Sequence, residues 1–440
     1  MILTKHWQKT ARGTALTVLE GVFEQGAFSN LALKQELNRS ALGDQDKALV
    51  TELVYGTVSR KITLEWYLSH YIADRDTLDS WVYSLLMLSL YQLLYLDKIP
   101  HRAVVHEAVS LAKQRKAGAD KFVNAILRKI LDGALPEIET IKRVNKRYSV
   151  QYSLPVWLVG YLIDVYGLER ALKIFESLLL RSKASVRVTQ PERFEEIMTA
   201  TGSRPSVLAK HGLVKDQGHF AGTDYFKTGA LAIQDETSQL VAPTLALKGD
   251  EFVLDACAAP GGKTVHMASY LNQGRVIALD LYEHKLALIR ENAERLGLSD
   301  KVETQVLDAR EVHRIFGPDT FDKILVDAPC SGIGLIRRKP DIRYNKQLSD
   351  FKELQVLQLS ILDSVCQTLK KDGIITYSTC TITPEENVQV VEQFLARHPE
   401  FEQVTLSHEK KEIMVNGCLM ITPELYQTDG FFIAQFRRKM

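Results

Sequence analysis

Two apolar runs in this chain stop at a cysteine. One is "KILVDAPCSGIG" at 323–334, with Cys330; the other is "DGIITYSTCTI" at 372–382, with Cys380. A thiol at the end of a buried strand either packs or reacts, and as a thiolate it attacks electrophilic carbon or ligates a metal. The chain has five cysteines (257, 330, 366, 380 and 418) and no CxxC pair, which argues against a disulfide framework and a Cys-based zinc site. No nearby His/Cys set completes another metal site, so no metal is expected. So few cysteines point to a reducing, cytoplasmic location, where a Cys330–Cys380 disulfide is disfavoured. Cys366 falls in a leucine-rich helical stretch and Cys418 in a terminal strand or turn, and both read as packing. A nucleophile with an assisting thiol fits Cys330 and Cys380 best, provided neighbouring strands bring them together beside Asp327.

Upstream, "LDACAAPGGKTVHMA" places a Gly-Gly turn between a strand and a helix. Gly261 and Gly262 let the backbone approach a ligand closely. The spacing is neither GxGxxG nor that of a P-loop. Asp280 follows eighteen residues after Gly262 at the end of "VIALD", where folds of this kind hold a ribose diol. Asp308 and Asp327 end the next two strands. Any one of these aspartates could cap a helix or turn. Three in register point to a nucleoside-bearing cofactor.

These residues need a scaffold to position them. Residues 1–145 show helical spacing and almost no strand signal, which predicts an all-α bundle of five or more helices. "DKALVTELVYGTVSRKITLEWYLSHYI" reads as one of these helices, with Asp44 or Asp46 near its cap; Ser80 is placed to cap the next. The most apolar run, "VYSLLMLSLYQLLYL" at 82–96, is too short to span a membrane and reads as a buried helix. The start, "MILTKHWQKTARGT", lacks the apolar stretch of a secretory signal. Between 102 and 147 there are eleven Lys/Arg against five Asp/Glu, with "KQRKAGADK" as a basic turn between helices. That suits phosphate contact, although a solvated helical face is the plainer alternative. Residues 146–235 read as a small α+β module with strands "ASVRVT", "GLVKD" and "ALAIQD". "TSQLVAPTLAL" then leads, as a helix, into 236–440, where strands and helices alternate. That alternation predicts an α/β domain with a parallel sheet covered on both faces and ligands at the carboxyl ends of its strands. A net charge of +1, with 45% hydrophobic and 25% charged residues, fits a soluble globular chain and says nothing about partners.

"DACAAPGGKT", "DAPCSGIG" and "YSTCTITPEEN" together resemble the signature motifs of the NOL/NOP2/Sun RNA cytosine-C5 methyltransferases, and "RRKPD" at 337–341 matches a further one. The helical front half resembles the NusB-like RNA-binding domain of the bacterial Sun/RsmB (Fmu) proteins, so the likeness covers nearly the whole chain. The sequence departs at Tyr344, where Trp is expected, which could alter substrate packing, and at Glu236, where a small residue is usual. The resemblance implies a Rossmann-like class I methyltransferase domain preceded by an all-α NusB-like domain. It implies S-adenosylmethionine as cofactor, bound through Cys257, Ala258, Ala259, Pro260, Gly261, Gly262 and Lys263, with Asp280 on the ribose, Asp308 near the adenine and Asp327 near the reactive end. It implies Cys380 as nucleophile, Cys330 as its helper in product release, and 16S ribosomal RNA as the partner of a monomeric enzyme.

The chemistry makes the same demands. Cytosine C5 becomes nucleophilic only after a thiolate adds to C6. Asp327, protonated or bridged to N3 and the amino group, would stabilise the charge formed there. Burial would raise the pKa of the attacking thiol, and Lys263 and the cationic sulfonium would lower it; the sequence leaves open which wins. The target base must be single-stranded or flipped, and segments 102–147 and 337–346 are expected to track the RNA backbone. Three other readings are weighed: a tRNA cytosine-C5 methyltransferase, a non-catalytic RNA-binding or antitermination factor, and a DNA-type enzyme in which Cys330 attacks.

Overall fold

The computed structural model describes residues 6–440, so the first five residues of the stretch read against a secretory signal lie outside the described residues. The chain forms two compact units. One comprises the chain up to Leu179 together with Arg338–Asn345; the other comprises Leu180–Arg337 and Lys346–Met440. The expected boundary at 145/146 falls inside the first unit and that at 235/236 inside the second.

The first unit is helical. Seven α-helices occupy Ala11–Glu24, Ser29–Arg39, Asp44–Ser59, Lys61–Ser69, Ser80–Tyr95, His101–Arg115 and Ala119–Asp132, and three more run over Val144–Tyr152, Val156–Tyr166 and Leu168–Ser177. Every residue from Trp81 to Leu93 is buried, which makes Ser80–Tyr95 the axis of the core. Its polar groups are satisfied locally: Ser89 Oγ donates to the Leu85 carbonyl at 2.7 Å, and Gln92 Nε2 to that of Leu88 at 3.0 Å. None of the helices among the described residues is long and apolar enough to cross a membrane. On Ala119–Asp132, Val123, Ile126, Leu127 and Ile130 face the core at i, i+3, i+4 and i+7, leaving Lys121, Arg128 and Lys129 exposed.

The single helix expected over 46–72 breaks at Arg60. Helix Ser29–Arg39 was not anticipated, because its sequence carries few apolar residues. Gly43 and Asp79, rather than Asp44, Asp46 or Ser80, occupy the N-cap positions. Asp44 and Asp46 sit in the first turn, where negative charge favours the helix dipole.

Pro340–Tyr344 completes this unit as a short 3-10 turn. Arg343 is fully buried there and donates to the carbonyls of Ser59 (2.9 Å), Ser153 (3.1 Å) and Leu178 (3.4 Å). Asp341 accepts a hydrogen bond from Ser29, and Tyr344 Oη donates to the Val58 carbonyl at 2.8 Å. Two of the five basic residues of segment 337–346 are thereby withdrawn from an RNA track, while Arg338, Lys339 and Lys346 stay at least partly exposed. Arg343 is spent on backbone carbonyls, and Arg337 is buried in the second unit on those of Pro423 and Thr428. Tyr344 packs against the helical core.

The second unit holds two sheets. The smaller is antiparallel, in the order β2-β3-β1-β4, with β1 Ala184–Val188, β2 Arg204–Pro205, β3 Gly212–Lys215 and β4 Leu231–Ile233. Thr237 precedes only a short 3-10 turn and one helical turn, Val241–Thr244, in place of the longer helix expected. Glu236 is buried and bonded to Ser206 Oγ at 2.6 Å.

The larger sheet contains β5 Phe252–Asp255, β6 Arg275–Asp280, β7 Val302–Val306, β8 Phe321–Asp327, β9 Leu369–Thr379, β10 Phe401–Gln403, β11 Met414–Val415, β12 Cys418–Ile421 and β13 Phe431–Arg438. Strands β7-β6-β5-β8-β9 are parallel neighbours, and the strand order reverses at β5, the kind of switch point where such sheets bind ligands. β13 pairs antiparallel with β9 and carries β12 and β10. The sheet is thus mixed: a parallel core, as expected, extended along one edge by antiparallel strands.

Candidate active site

β8 and β9 pair in parallel with Asp327 opposite Ser378, so the loops that leave their carboxyl ends start side by side. Cys330 lies three residues past β8 and Cys380 one residue past β9. The two sulfurs are 3.0 Å apart, and both cysteines are free thiols. The hydrogen bond to Cys380, followed by burial, pushes the Cys330 thiol pKa well above its ordinary value.

Asp327 ends β8 with both oxygens engaged. Lys263 Nζ donates to Oδ2 at 2.7 Å and Ser378 Oγ to Oδ1 at 2.7 Å. Burial works against the Lys263 charge, but the adjacent Asp327, then Cys380 and Asp255, reverse this and hold its pKa above the usual lysine range. The Lys263 ammonium also lies 5.2 Å from the centroid of the Phe431 ring. Asp327 keeps 28% of its side chain exposed and Lys263 14%, so a bound molecule can still reach the pair.

Cys257 to Lys263 form the turn between β5 and helix Gly262–Ala268. The Ala258 N–H donates to the Leu279 carbonyl at 2.8 Å and the Gly261 N–H to that of Ala258 at 2.8 Å, which fold the turn back over β6. Pro260 presents its carbonyl to Asn292 Nδ2 at 3.1 Å, and the Ala259–Pro260 peptide is cis. Gly261 has φ +99°, and a Cβ there would come within 3.0 Å of Ile289 Cα; at Gly262 an added Cβ would meet nothing within 4 Å. The turn is closed on its inner side and open on its outer side, as a cradle for a ligand requires.

Asp280 ends β6, accepts the Tyr282 N–H at 3.2 Å and pairs with Lys285 at 3.3 Å. Asp308 lies two residues past β7, and both of its oxygens are bound by Arg310, at 2.6 to 3.1 Å. Burial, followed by the negative charges of Asp255, Asp327, Asp280 and Asp308, drives the Cys257 thiol pKa far up. The charges of the three predicted strand-end aspartates all act on Cys257 in the turn, and a thiol pKa raised in this way disfavours its thiolate.

Two residues of the site escaped the sequence reading. Asp255 ends β5, is buried, and accepts from Thr264 Oγ1 at 2.7 Å; burial raises its carboxyl to about 7. Its strand-end position matched that of the other aspartates and was the available signal. Ser378, which holds Asp327, carried none. Among the described residues no group of three or more His, Cys, Asp or Glu side chains is arranged to hold a metal ion.

The chain is similar to known proteins. Residues 242–437 match the family described as 16S rRNA methyltransferase RsmB/F, and residues 9–132 match the NusB family. The chain is 42% identical to a probable ribosomal RNA small subunit methyltransferase B of Bacillus subtilis, over 98% of this chain and 99% of the relative. It is 31% identical to the ribosomal RNA small subunit methyltransferase B of Yersinia pestis, over 97% and 98%. In fold it is similar to the crystal structure of PH0851, with a TM-score of 0.82 and 24% identity over the whole of both chains.

Proposed function

The chain belongs to the RsmB/F family of rRNA small subunit methyltransferases, and from that premise we propose that it methylates C5 of a specific cytosine in 16S ribosomal RNA with S-adenosylmethionine as donor. The observation that carries the C5 assignment is the Cys330–Cys380 contact of 3.0 Å beside the Lys263–Asp327 pair. Two free thiols at one site suit a reaction that needs a nucleophile and, later, a base.

The open side of the Gly261–Gly262 turn and the Asp280 carboxylate fit a nucleoside-bearing cofactor. Cys257 to Lys263 would hold it through their backbone, and Asp280 would take the ribose hydroxyls. Asp308, held by Arg310, would lie near the adenine. When bound, the cofactor supplies a methyl group on a cationic sulfur.

Cys380 attacks cytosine C6 as a thiolate, and the new C–S bond makes C5 electron-rich. Lys263 favours that thiolate by its retained charge. Asp327, oriented by Lys263 and Ser378, would stabilise the charge formed at N3 and the amino group when protonated or bridged to them. Once C5 carries its methyl group, the C5 proton must leave as the C6–S bond breaks. Cys330 would then serve as the base: as a thiolate, its proton given to water, it takes the C5 proton while the C6–S bond breaks and frees Cys380. The substrate cytosine must be unpaired or flipped to reach these thiols.

Denaturing gels of protein incubated with 16S rRNA and S-adenosylmethionine test the assignment. Cys380→Ala should give no covalent adduct and no methyl transfer, while Cys330→Ala should accumulate protein bound to methylated RNA. An adduct with Cys380→Ala and none with Cys330→Ala would reverse the two roles, as in the DNA-type reading. Methylation of tRNA in place of 16S rRNA would change the substrate and keep the chemistry.

A further inference from the structure

The loops that carry the two thiols are fixed by adjacent side chains of a third segment. After β9 the chain turns through Pro384, and Glu386 and Asn387, both fully buried, point back at the cysteine loops. Glu386 Oε2 accepts the Ser331 N–H at 2.7 Å. Gln358 Nε2 lies 3.2 Å from the same oxygen and donates to the Pro329 carbonyl at 3.0 Å. The peptide groups on both sides of Cys330 are thereby tied to one carboxylate–amide pair.

Asn387 does the same for Cys380. Its Oδ1 accepts from Thr379 Oγ1 at 2.5 Å, and its Nδ2 donates to the Thr381 carbonyl at 3.1 Å. These are the residues immediately before and after Cys380. The loops are also joined to each other, because Ser331 Oγ and Thr381 Oγ1 lie 2.9 Å apart. Thr383 Oγ1 donates to the remaining Glu386 oxygen at 2.8 Å, and Tyr377 Oη donates to the Glu386 carbonyl at 2.7 Å.

A carboxylate taken out of water among neutral partners costs stability that an apolar residue of similar size would not. Burial raises the Glu386 pKa, and the bonds from Ser331, Thr383 and Gln358 only partly offset it. A group retained at such a cost, with its carboxylate bonded to Ser331 and Thr383 just past the two cysteines, has a task other than filling space.

We propose that Glu386 and Asn387 are positioning residues with divided work: Glu386 fixes Cys330, Asn387 fixes Cys380, and together they set the thiols in contact. The proposal rests on the cysteine roles given above. If Asn387 serves the nucleophile, Asn387→Leu should slow adduct formation, by about tenfold or more given how steeply rate falls with misplacement. If Glu386 serves the thiol that completes release, Glu386→Leu should leave adduct formation near the wild-type rate and slow release by a similar factor, so that adduct accumulates. Glu386→Gln, which keeps one acceptor for the Ser331 N–H, should recover most of the release rate.

The experiment measures both rates by rapid quench and denaturing gel, normalised to folded protein, with melting temperatures for each variant. Gln358→Met, which frees the Pro329 carbonyl, tests the Cys330 side if Glu386→Leu does not fold; Asn387→Asp, which keeps the Thr379 acceptor alone, tests the Cys380 side. Opposite effects on formation and release support the division. Equal slowing of both steps by either variant overturns it while leaving the cysteine roles intact. A wild-type protein that forms no adduct removes the cysteine roles and this proposal with them.

Discussion

Lys263 Nζ lies 2.7 Å from Asp327 Oδ2, joining the glycine turn after β5 to the end of β8. Ser378 Oγ takes the other oxygen from β9. The Asp327 carboxylate is thus an acceptor twice over, oriented from two sides. Lys263→Met should destabilise the protein by about 2 kcal/mol, the order expected when a mostly buried charge loses its partner. Urea unfolding of Lys263→Met, Asp327→Asn and the double variant checks this. Strictly additive effects would show that the pair is not coupled.

Asp255 predicts a pH dependence with a definite sign. Its carboxyl titrates at about 7 in the folded protein and near 4 in an unfolded chain. Between those values the folded state holds a proton that the unfolded state has released. Stability from this group therefore falls as pH rises from about 4 to about 7, by roughly 4 kcal/mol in all, and is level above and below. Asp255→Asn keeps an acceptor for Thr264 and should remove that fall. Unfolding free energies at pH 5 and pH 8 should differ less in the variant than in the wild type; equal differences would refute the assignment.

Arg343 offers a stability test in the helical unit. Its guanidinium serves three backbone carbonyls, a fork that lysine cannot reproduce. Arg343→Lys and Arg343→Met should each cost about 3 kcal/mol, because buried acceptors are left unpaired. Chemical denaturation measures both, and a lysine variant as stable as wild type would contradict the carbonyl-bridging role.

Asp280→Ala should weaken S-adenosylmethionine binding by about 1–3 kcal/mol, as for loss of a charged hydrogen-bond partner. Titration calorimetry reads the change directly. Unchanged affinity would remove Asp280 from the cofactor site.

Lys121, Arg128 and Lys129 are exposed along Ala119–Asp132. Replacing all three with Gln should lower affinity for 16S rRNA fragments and flatten the slope of log K against log salt by roughly 0.7 for each phosphate no longer neutralised. S-adenosylmethionine binding should be untouched. Point changes are preferred to deletion of the front half, because Arg338–Asn345 belongs to the helical unit and would be stranded. An unaltered salt slope would exclude this face from RNA contact.

By itself the sequence determined the elements that depend on local pattern: the helical front half, the alternating strands and helices after 251, the glycine turn, and the strand ends that carry Asp280, Asp327, Cys330 and Cys380. Periodicity and turn chemistry act over a few residues and survive in any tertiary setting. Neighbouring order in a parallel sheet then brought the two cysteine loops together, because β8 and β9 leave the same edge. What only the tertiary structure decided were partnerships across long separations. Segment 337–346 reads as a basic track, yet its Arg343 is spent on carbonyls of Ser59, Ser153 and Leu178. "TPEEN" was visible as a motif, but nothing local says that Glu386 reaches Ser331 across 55 residues while Asn387 closes on Thr379 and Thr381 beside it. Asp280, Asp308 and Asp327 look alike in the sequence, and only the fold assigns Lys285, Arg310 and Lys263 to them as partners. A side chain's charge is written in the sequence. Whether that charge meets water, a ligand or a buried carbonyl depends on which distant backbone groups folding leaves unpaired beside it.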